Sequence, residues 1–254
     1  LIMEEEVDII VSYYDRIREM IDSIIKDERE NIEKAAQWVA QTVIEDKLFY
    51  VFGTGAHSIM PAMELFLRAG GLCNSQGIFP PGVTDFNGTP KTERVVGFAP
   101  RIFDWYGVKK GDLLIICNVN GINPMTIDAA EEARKRGVRT VGVTSVQFAE
   151  KAEHNIPNRH PSNKNLHDLV DLTIDAKVPV GDALLDVPGL DVKVGAGSTY
   201  PMIFIVESIV VRAIEIAVQK GAHPPVMLSG NVAGCEEYNE KYHKKYAPRV
   251  KHFE

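Results

Sequence analysis

The chain has 254 residues, a formal net charge of −7, 45% hydrophobic and 25% charged residues, the composition of an ordinary globular protein. No apolar run approaches the roughly 20 residues that span a bilayer, and an acidic balance without a Lys/Arg stripe argues against a nucleic-acid partner. The opening LIMEEEVDII has no basic region followed by an apolar core, so no signal peptide is expected and the cytoplasm is the expected location.

Length allows one large α/β domain or two small ones. Cys73, Cys117 and Cys235 are odd in number, far apart and without a C-x-x-C pairing, which suggests neither a disulfide framework nor a zinc site. Cys117, ending an apolar run, reads as a small buried residue.

Residues 3–25 repeat apolar side chains at Val7, Ile10, Val11, Tyr14, Ile17, Ile21 and Ile24, which is helical spacing. A second helix is expected over 30–45, with Ile32, Ala35, Ala36, Val39 and Val43 inward. Together they carry a longer apolar stripe than one small sheet covers. The first helix is therefore expected either at a dimer interface or packed on its own domain.

Residues 48–52 (LFYVF) read as the first strand, running into Gly53-Thr54-Gly55-Ala56-His57-Ser58, with a helix expected over 59–69 that ends at Gly70-Gly71. Strand, Gly-rich turn and helix outline a phosphate cradle, because glycines let the backbone approach an anion and the helix start supplies N–H donors. It is not G-x-G-x-x-G, since Ser58 stands in the third glycine's place. No acidic residue follows at the end of 72–78, so a dinucleotide is disfavoured and a hydroxyl at the helix start suits a terminal phosphate. Residues 80–100 hold four prolines and three glycines. So long a loop is a candidate lid or supplier of catalytic groups, with Asp85, Lys91, Thr92, Glu93 and Arg94 on it, or else a solvated connection.

Residues 113–117 (LLIIC) read as a buried strand, 118–124 as a turn, 125–136 as an amphipathic helix capped by Gly137, and 138–143 as a second buried strand. This βαβ unit makes its strands parallel and directs ligands to their carboxyl ends, where Asn118, Asn120, Gly121, Thr144 and Ser145 fall. Residues 148–161 are polar, a short helix starts at 162–166, and 169–174 (LVDLTI) reads as another strand. Residues 177–194 read as irregular. Gly195 to Thr199, with Ser198 between, open a long apolar helix over 200–219, and a charged helix over 236–246 closes the chain.

This pattern resembles the sugar isomerase (SIS) domain family. The likeness rests on the strand–GTGAHS–helix, on the 112–145 unit, and on Ser162-x-x-x-Leu166 followed by Leu169-Val170-Asp171. Glu93-Arg94, Arg159-His160-Pro161-Ser162, residues 195–199 and the run from Pro224 to Asn231 are similar to a single-SIS branch of phosphosugar isomerases. The resemblance implies a three-layer αβα sandwich (flavodoxin-like or Rossmann-like) around a parallel sheet of about five strands. One domain is expected over 1–254, with an extra N-terminal helix at 1–29, a core at 30–220 and a tail at 221–254. Asn118 and Asn120 stand where the family carries serines, Asn123 follows where threonine or asparagine is usual, and His57 occupies the serine position of the first loop. Asparagine amides also donate hydrogen bonds to anions.

The resemblance further implies aldose–ketose isomerisation of a sugar phosphate through an enediol, in a homodimer or homotetramer, with no cofactor and no metal. Such chemistry needs a carboxylate base and a ring-opening acid. Glu93 is the first candidate base, the plain alternative being an exposed loop carboxylate. Glu207, on the long apolar helix, is the second, unless it pairs with Arg212. Glu64 reads as the i,i+4 partner of Arg68. His57 is the first candidate acid and His160 the next. Gly53, Thr54, Gly55, Ser58, Asn118, Asn120, Gly121, Asn123, Thr144, Ser145, Ser198 and Thr199 are the expected substrate- and phosphate-binding set. The alternatives are a non-catalytic sugar-phosphate sensor, or a lyase or etherase acting on an amino-sugar phosphate.

Overall fold

A sheet of β1 (Phe49–Gly53), β2 (Ser75–Ile78), β3 (Leu113–Cys117), β4 (Arg139–Thr144) and β5 (Leu172–Asp175) organises the computed structural model, which describes residues 8–55, 57–83 and 91–253. The strands are all parallel in the order β2-β1-β3-β4-β5. β1, β2 and β3 are buried along their whole length, as a sheet covered on both faces requires. The expected α/β class and five-stranded parallel sheet are thus what the chain forms.

Helices α1 (Ile9–Asp27), α2 (Arg29–Ile44), α3 (Met60–Glu64) and α7 (Thr199–Gln219) pack together on one face, and α4 (Ala99–Tyr106) and α5 (Pro124–Arg136) on the other. The core fills the space between, from Val39, Ile205 and Ile209 through Val51 and Ile115 to Phe103 and Ala130. From β1 the chain first adds β2 on one side, then returns to place β3 on the other. The crossover reverses between β1 and β3, and a crevice opens there at their carboxyl ends.

Several expectations need correction. The helix expected over 59–69 stops at Glu64, because Leu67 takes a left-handed φ of 52° and the Leu65 carbonyl accepts the Ser75 hydroxyl. The long loop ends where α4 begins at Ala99, and the polar stretch after β4 starts with α6 (Val146–Lys151). The short helix near 162–166 is a 3-10 turn at Leu166–Asp168, and the strand expected over 169–174 is β5, three residues later at its start. β6 (Ala183–Leu185) and β7 (Val194–Ala196) form an antiparallel ribbon where irregular chain to Val194 and then the opening of the long helix were expected. The helix expected from residue 3 is described from Ile9, where Asp8 caps it by accepting the N–H groups of Ile10 and Val11. Residues 1–7, Ala56 and the Asp85 of the long loop lie outside the described residues.

The tail, which includes α8 (Cys235–Tyr246), packs along the β2 side of the sheet. Met227 exchanges backbone hydrogen bonds with Gly70 and Gly71, the Cys73 N–H bonds to Pro225, and the Lys251 N–H donates to Gln76 Oε1 at 2.6 Å. These bonds tie the tail to the segment entering β2 and to the Gln76 side chain, so the edge strand is covered by chain. Among the described residues no helix is long and apolar enough to cross a membrane.

Candidate active site

At the crevice between β1 and β3 lies a cleft of about 230 Å³, lined by the loops after these strands, the start of α7, and the 3-10 turn Thr92–Arg94. Gly55, His57, Ser58, Glu93, Asn118, Asn120, Asn123, Ser198 and Thr199 from the expected set all face it. Arg94, Asn158 and Asp182 join them.

The first loop turns sharply. A Cβ on Gly53 would run into the Ser58 carbonyl and the Ile59 Cα, so the strand passes into the loop only with glycine there. The second loop is built by its asparagines. Asn118, 1% exposed, accepts the Gly121 N–H on Oδ1 at 2.9 Å and donates Nδ2 to Asn123 Oδ1 at 3.0 Å. Asn123 passes this on by donating to the Asn158 carbonyl at 2.9 Å, and Asn120 Oδ1 accepts the Ile122 N–H at 3.2 Å. Serine is too short to bridge in this way, so these amides first hold the loop. The Asn120 amide nitrogen and the second Asn118 N–H remain as donors.

Other members of the expected set stand behind the cleft. Thr54 and Thr126 share a hydrogen bond of 2.6 Å beneath the loops. Thr144 Oγ1 donates to the Val119 carbonyl, and Ser145 Oγ to the Val178 carbonyl. Gly121, with φ 61°, lets the backbone pass the Thr144 hydroxyl. These residues shape the site without lining it. At the start of α7, Asp182 Oδ1 takes the N–H groups of Gly197 and Ser198, at 3.1 and 2.7 Å, while Oδ2 takes the Ser198 hydroxyl at 2.9 Å. An internal carboxylate therefore holds the two N–H groups just before the first turn of α7, at the edge of the cleft. Asp182 escaped sequence reasoning because its role depends on the β6–β7 ribbon bringing it back to α7.

Glu93 and Arg94 reach the cleft from a 3-10 turn that α5 holds in place. The Gly97 N–H donates to Asp128 Oδ2 at 2.6 Å, and Asp128 Oδ1 faces His160 Nε2 at 3.4 Å. The Glu93 side chain is only 15% exposed, and its carboxylate lies 3.9 Å from Arg94 Nε. His160 is not at the cleft. Its Nδ1 accepts the Ser162 N–H, which leaves Nε2 to carry the hydrogen toward Asp128, so it clasps loop to helix. Glu207 is likewise away from the cleft, beside Glu64 and Arg68. Burial, and secondarily the Glu64 charge, raise its proton affinity. It does not pair with Arg212, which instead grips Glu33 at 2.7 Å, whereas the Glu64–Arg68 pair forms at 3.0 Å.

Among the described residues no group of three or more His, Cys, Asp or Glu is placed to hold a metal ion. Cys73 and Cys117 are buried, and burial pushes the Cys73 thiol up to about 12 and raises that of Cys117 as well, which leaves neither a ready nucleophile.

The SIS domain family model matches residues 12–145. A UPF0309 protein of Caldanaerobacter subterraneus is 36% identical over 249 residues, covering 94% of this chain and 98% of that protein. One of Geobacillus thermodenitrificans is 33% identical over 241 residues, covering 94% and 95%. Among solved structures, a phosphoheptose isomerase from Neisseria gonorrhoeae superposes with a TM-score of 0.56 at 11% identity, over 81% of this chain and 97% of that one. The Vibrio vulnificus NanR protein, complexed with ManNAc-6P, does so with a TM-score of 0.50 at 16% identity, over 97% and 71%. At such identities these structures share the fold. With the doubly wound sheet, the cleft at its switch point and the matched family model in agreement, the chain belongs to the SIS domain family, alongside its UPF0309 relatives.

Proposed function

We propose that the cleft binds a phosphorylated sugar and that the protein interconverts its aldose and ketose forms through an enediol. The observation that carries this reading is that a shielded carboxylate, Glu93, and a histidine, His57, face one small polar cleft at the switch point of the sheet. Glu93 removes the proton from the carbon beside the carbonyl and returns it to the neighbouring carbon. His57 protonates the ring oxygen so that the sugar opens. Ser58, Asn120 and Thr199 supply hydrogen-bond donors for the phosphate, with Arg94 its positive charge. No cofactor is needed, because both protons move between protein groups and the substrate. At about 230 Å³ the cleft is below the ~300–1,000 Å³ of drug-sized sites, a scale suited to a small polar metabolite. Membership of the SIS domain family, and the ManNAc-6P held by a protein of the same fold, support a sugar phosphate as ligand. The working unit is proposed to be a homodimer or homotetramer, closed through the apolar outer face of α1.

A thermal-shift screen against sugar phosphates, sugar acids and amino-sugar phosphates tests the ligand, since binding to the folded state alone raises Tm. For the ligand found, Glu93→Gln is expected to lower kcat by about 10²–10⁴-fold, the usual contribution of a positioned acid or base, with Kd within a few-fold of the parent. Stabilisation without turnover indicates a sensor, and a product of changed mass indicates elimination. Silence across every phosphate removes the phosphosugar reading.

A further inference from the structure

Beside the cleft, on the far side of Arg94, lies a second cavity of about 370 Å³ between residues 94–96 and 155–161. Arg94 and Arg159 both line it, and its other described walls, Val96, Ile156 and Pro157 among them, include no acid. Arg159 is 5% exposed. Its Nη1 donates to the Ala149 carbonyl at 3.3 Å and its Nη2 to the Asn163 carbonyl at 3.0 Å and Asn165 Oδ1 at 2.6 Å. All three acceptors are neutral, and among the described residues no carboxylate stands within ion-pair distance of this charge. Arg159 Nε and Arg94 Nε are both buried without a hydrogen-bond partner.

A buried, unpaired charge is costly, and a guanidinium cannot escape the cost by losing its proton. Burial alone presses the proton affinity of Arg159 down, with no acid nearby to offset it. Arg94 fares little better, its one ionic neighbour among the described residues being Glu93 at 3.9 Å. Two arginines lining one cavity with no acid among its described walls, each with a buried Nε that lacks a hydrogen-bond partner, have the arrangement that an oxyanion completes.

We propose that this cavity is a second anion site, in which Arg94 and Arg159 together hold a phosphate or carboxylate group. Because Arg94 lines both cavities, the group in the second cavity lies next to whatever occupies the cleft. The oxyanion is either a free small anion or a second acidic group of the cleft's own ligand. The site stands on these arginines and not on the isomerase reading, so it survives even where no sugar is turned over.

The probe is inorganic phosphate, titrated calorimetrically into the whole protein, with Arg159→Gln and Val96→Glu as variants. Val96 is 53% exposed, so the second variant places a carboxylate at the cavity mouth without disturbing the core, should loss of Arg159 impair folding. Ser58→Ala serves as the variant confined to the cleft. We expect one phosphate to be weakened by about tenfold or more in Val96→Glu and in folded Arg159→Gln, the scale of one charge-assisted hydrogen bond, and unchanged in Ser58→Ala. No phosphate binding by the parent protein overturns the proposal. So does a phosphate whose affinity falls only in Ser58→Ala. A sugar monophosphate that binds the phosphate-saturated protein identifies a free anion. A doubly acidic sugar that displaces the phosphate and loses affinity in Val96→Glu identifies a second group of one ligand.

Discussion

Gly53 shows how one residue sets the cleft. Its Cα packs so close to the Ser58 and Ile59 backbone that even a methyl group must push the first loop away from β1. Gly53→Ala is expected to cost about 2–4 kcal/mol in urea denaturation, on the scale of overpacking a backbone contact, and to weaken ligand binding with it. Glu207 acts in the opposite direction. Its proton affinity is raised on folding, so the folded chain binds more protons than the unfolded one through the ordinary carboxylate range and just above it. Stability is therefore lost as pH rises through that range. Glu207→Gln should raise Tm at neutral pH by on the order of 1–2 °C, with the gain vanishing in acid. A gain independent of pH would assign it to packing instead. The candidate residues His57, Ser58, Glu93, Asn118 and Asn120 were legible because each sits at a strand end or on the long loop. His160 and Glu207 were equally visible as chemistry, but their place relative to the cleft depends on which neighbours the fold brings to them.

At the scale of elements, the start of α7 is held by a residue 16 positions upstream of Ser198, since Asp182 spans the Gly197 N–H, the Ser198 N–H and the Ser198 hydroxyl. Asp182→Ala should cost about 1–2 kcal/mol in denaturant unfolding, for the loss of charge-assisted hydrogen bonds to the turn before α7, and Asp182→Asn less, because its amide oxygen still accepts. The same removal exposes N–H groups to the cleft, so phosphate affinity should rise slightly even as stability falls. The β6–β7 ribbon that carries Asp182 has strands of three residues each, too short to show an alternating pattern. The helices α2, α5 and α7, by contrast, run for three turns or more with apolar faces, and their positions were readable from spacing alone.

For the whole molecule, α1 leaves Ile9, Ile10, Val11 and Tyr14 toward solvent, Ile10 being 76% exposed. Only Met20 and Ile24 of this helix are buried. So much apolar surface on one helix is the face through which the proposed oligomer closes. Light scattering is expected to report a dimer or larger for the parent and a monomer for Ile10→Glu combined with Tyr14→Glu, with the far-ultraviolet dichroism of the two alike. A parent protein that is monomeric at micromolar concentration removes the assembly.

Apolar runs of five or six residues, each followed by a turn and a helical stripe, were enough to establish a parallel α/β sheet, because only a right-handed crossover returns such a chain to its own sheet. They also located the carboxyl strand ends, since those follow from chain direction. Tertiary structure alone decided which hydroxyls and amides face the cleft. Thr54 adjoins the lining residue Gly55, and Thr144 and Ser145 stand at the carboxyl end of β4, yet their side chains turn into backbone carbonyls or a neighbouring threonine. Arg94, Arg159 and Asp182 come from separate segments, and their shared surroundings exist only once the loops have folded over the end of the sheet. Periodicity records which face of an element meets the core, whereas the partner of a loop side chain depends on contacts far away in the chain.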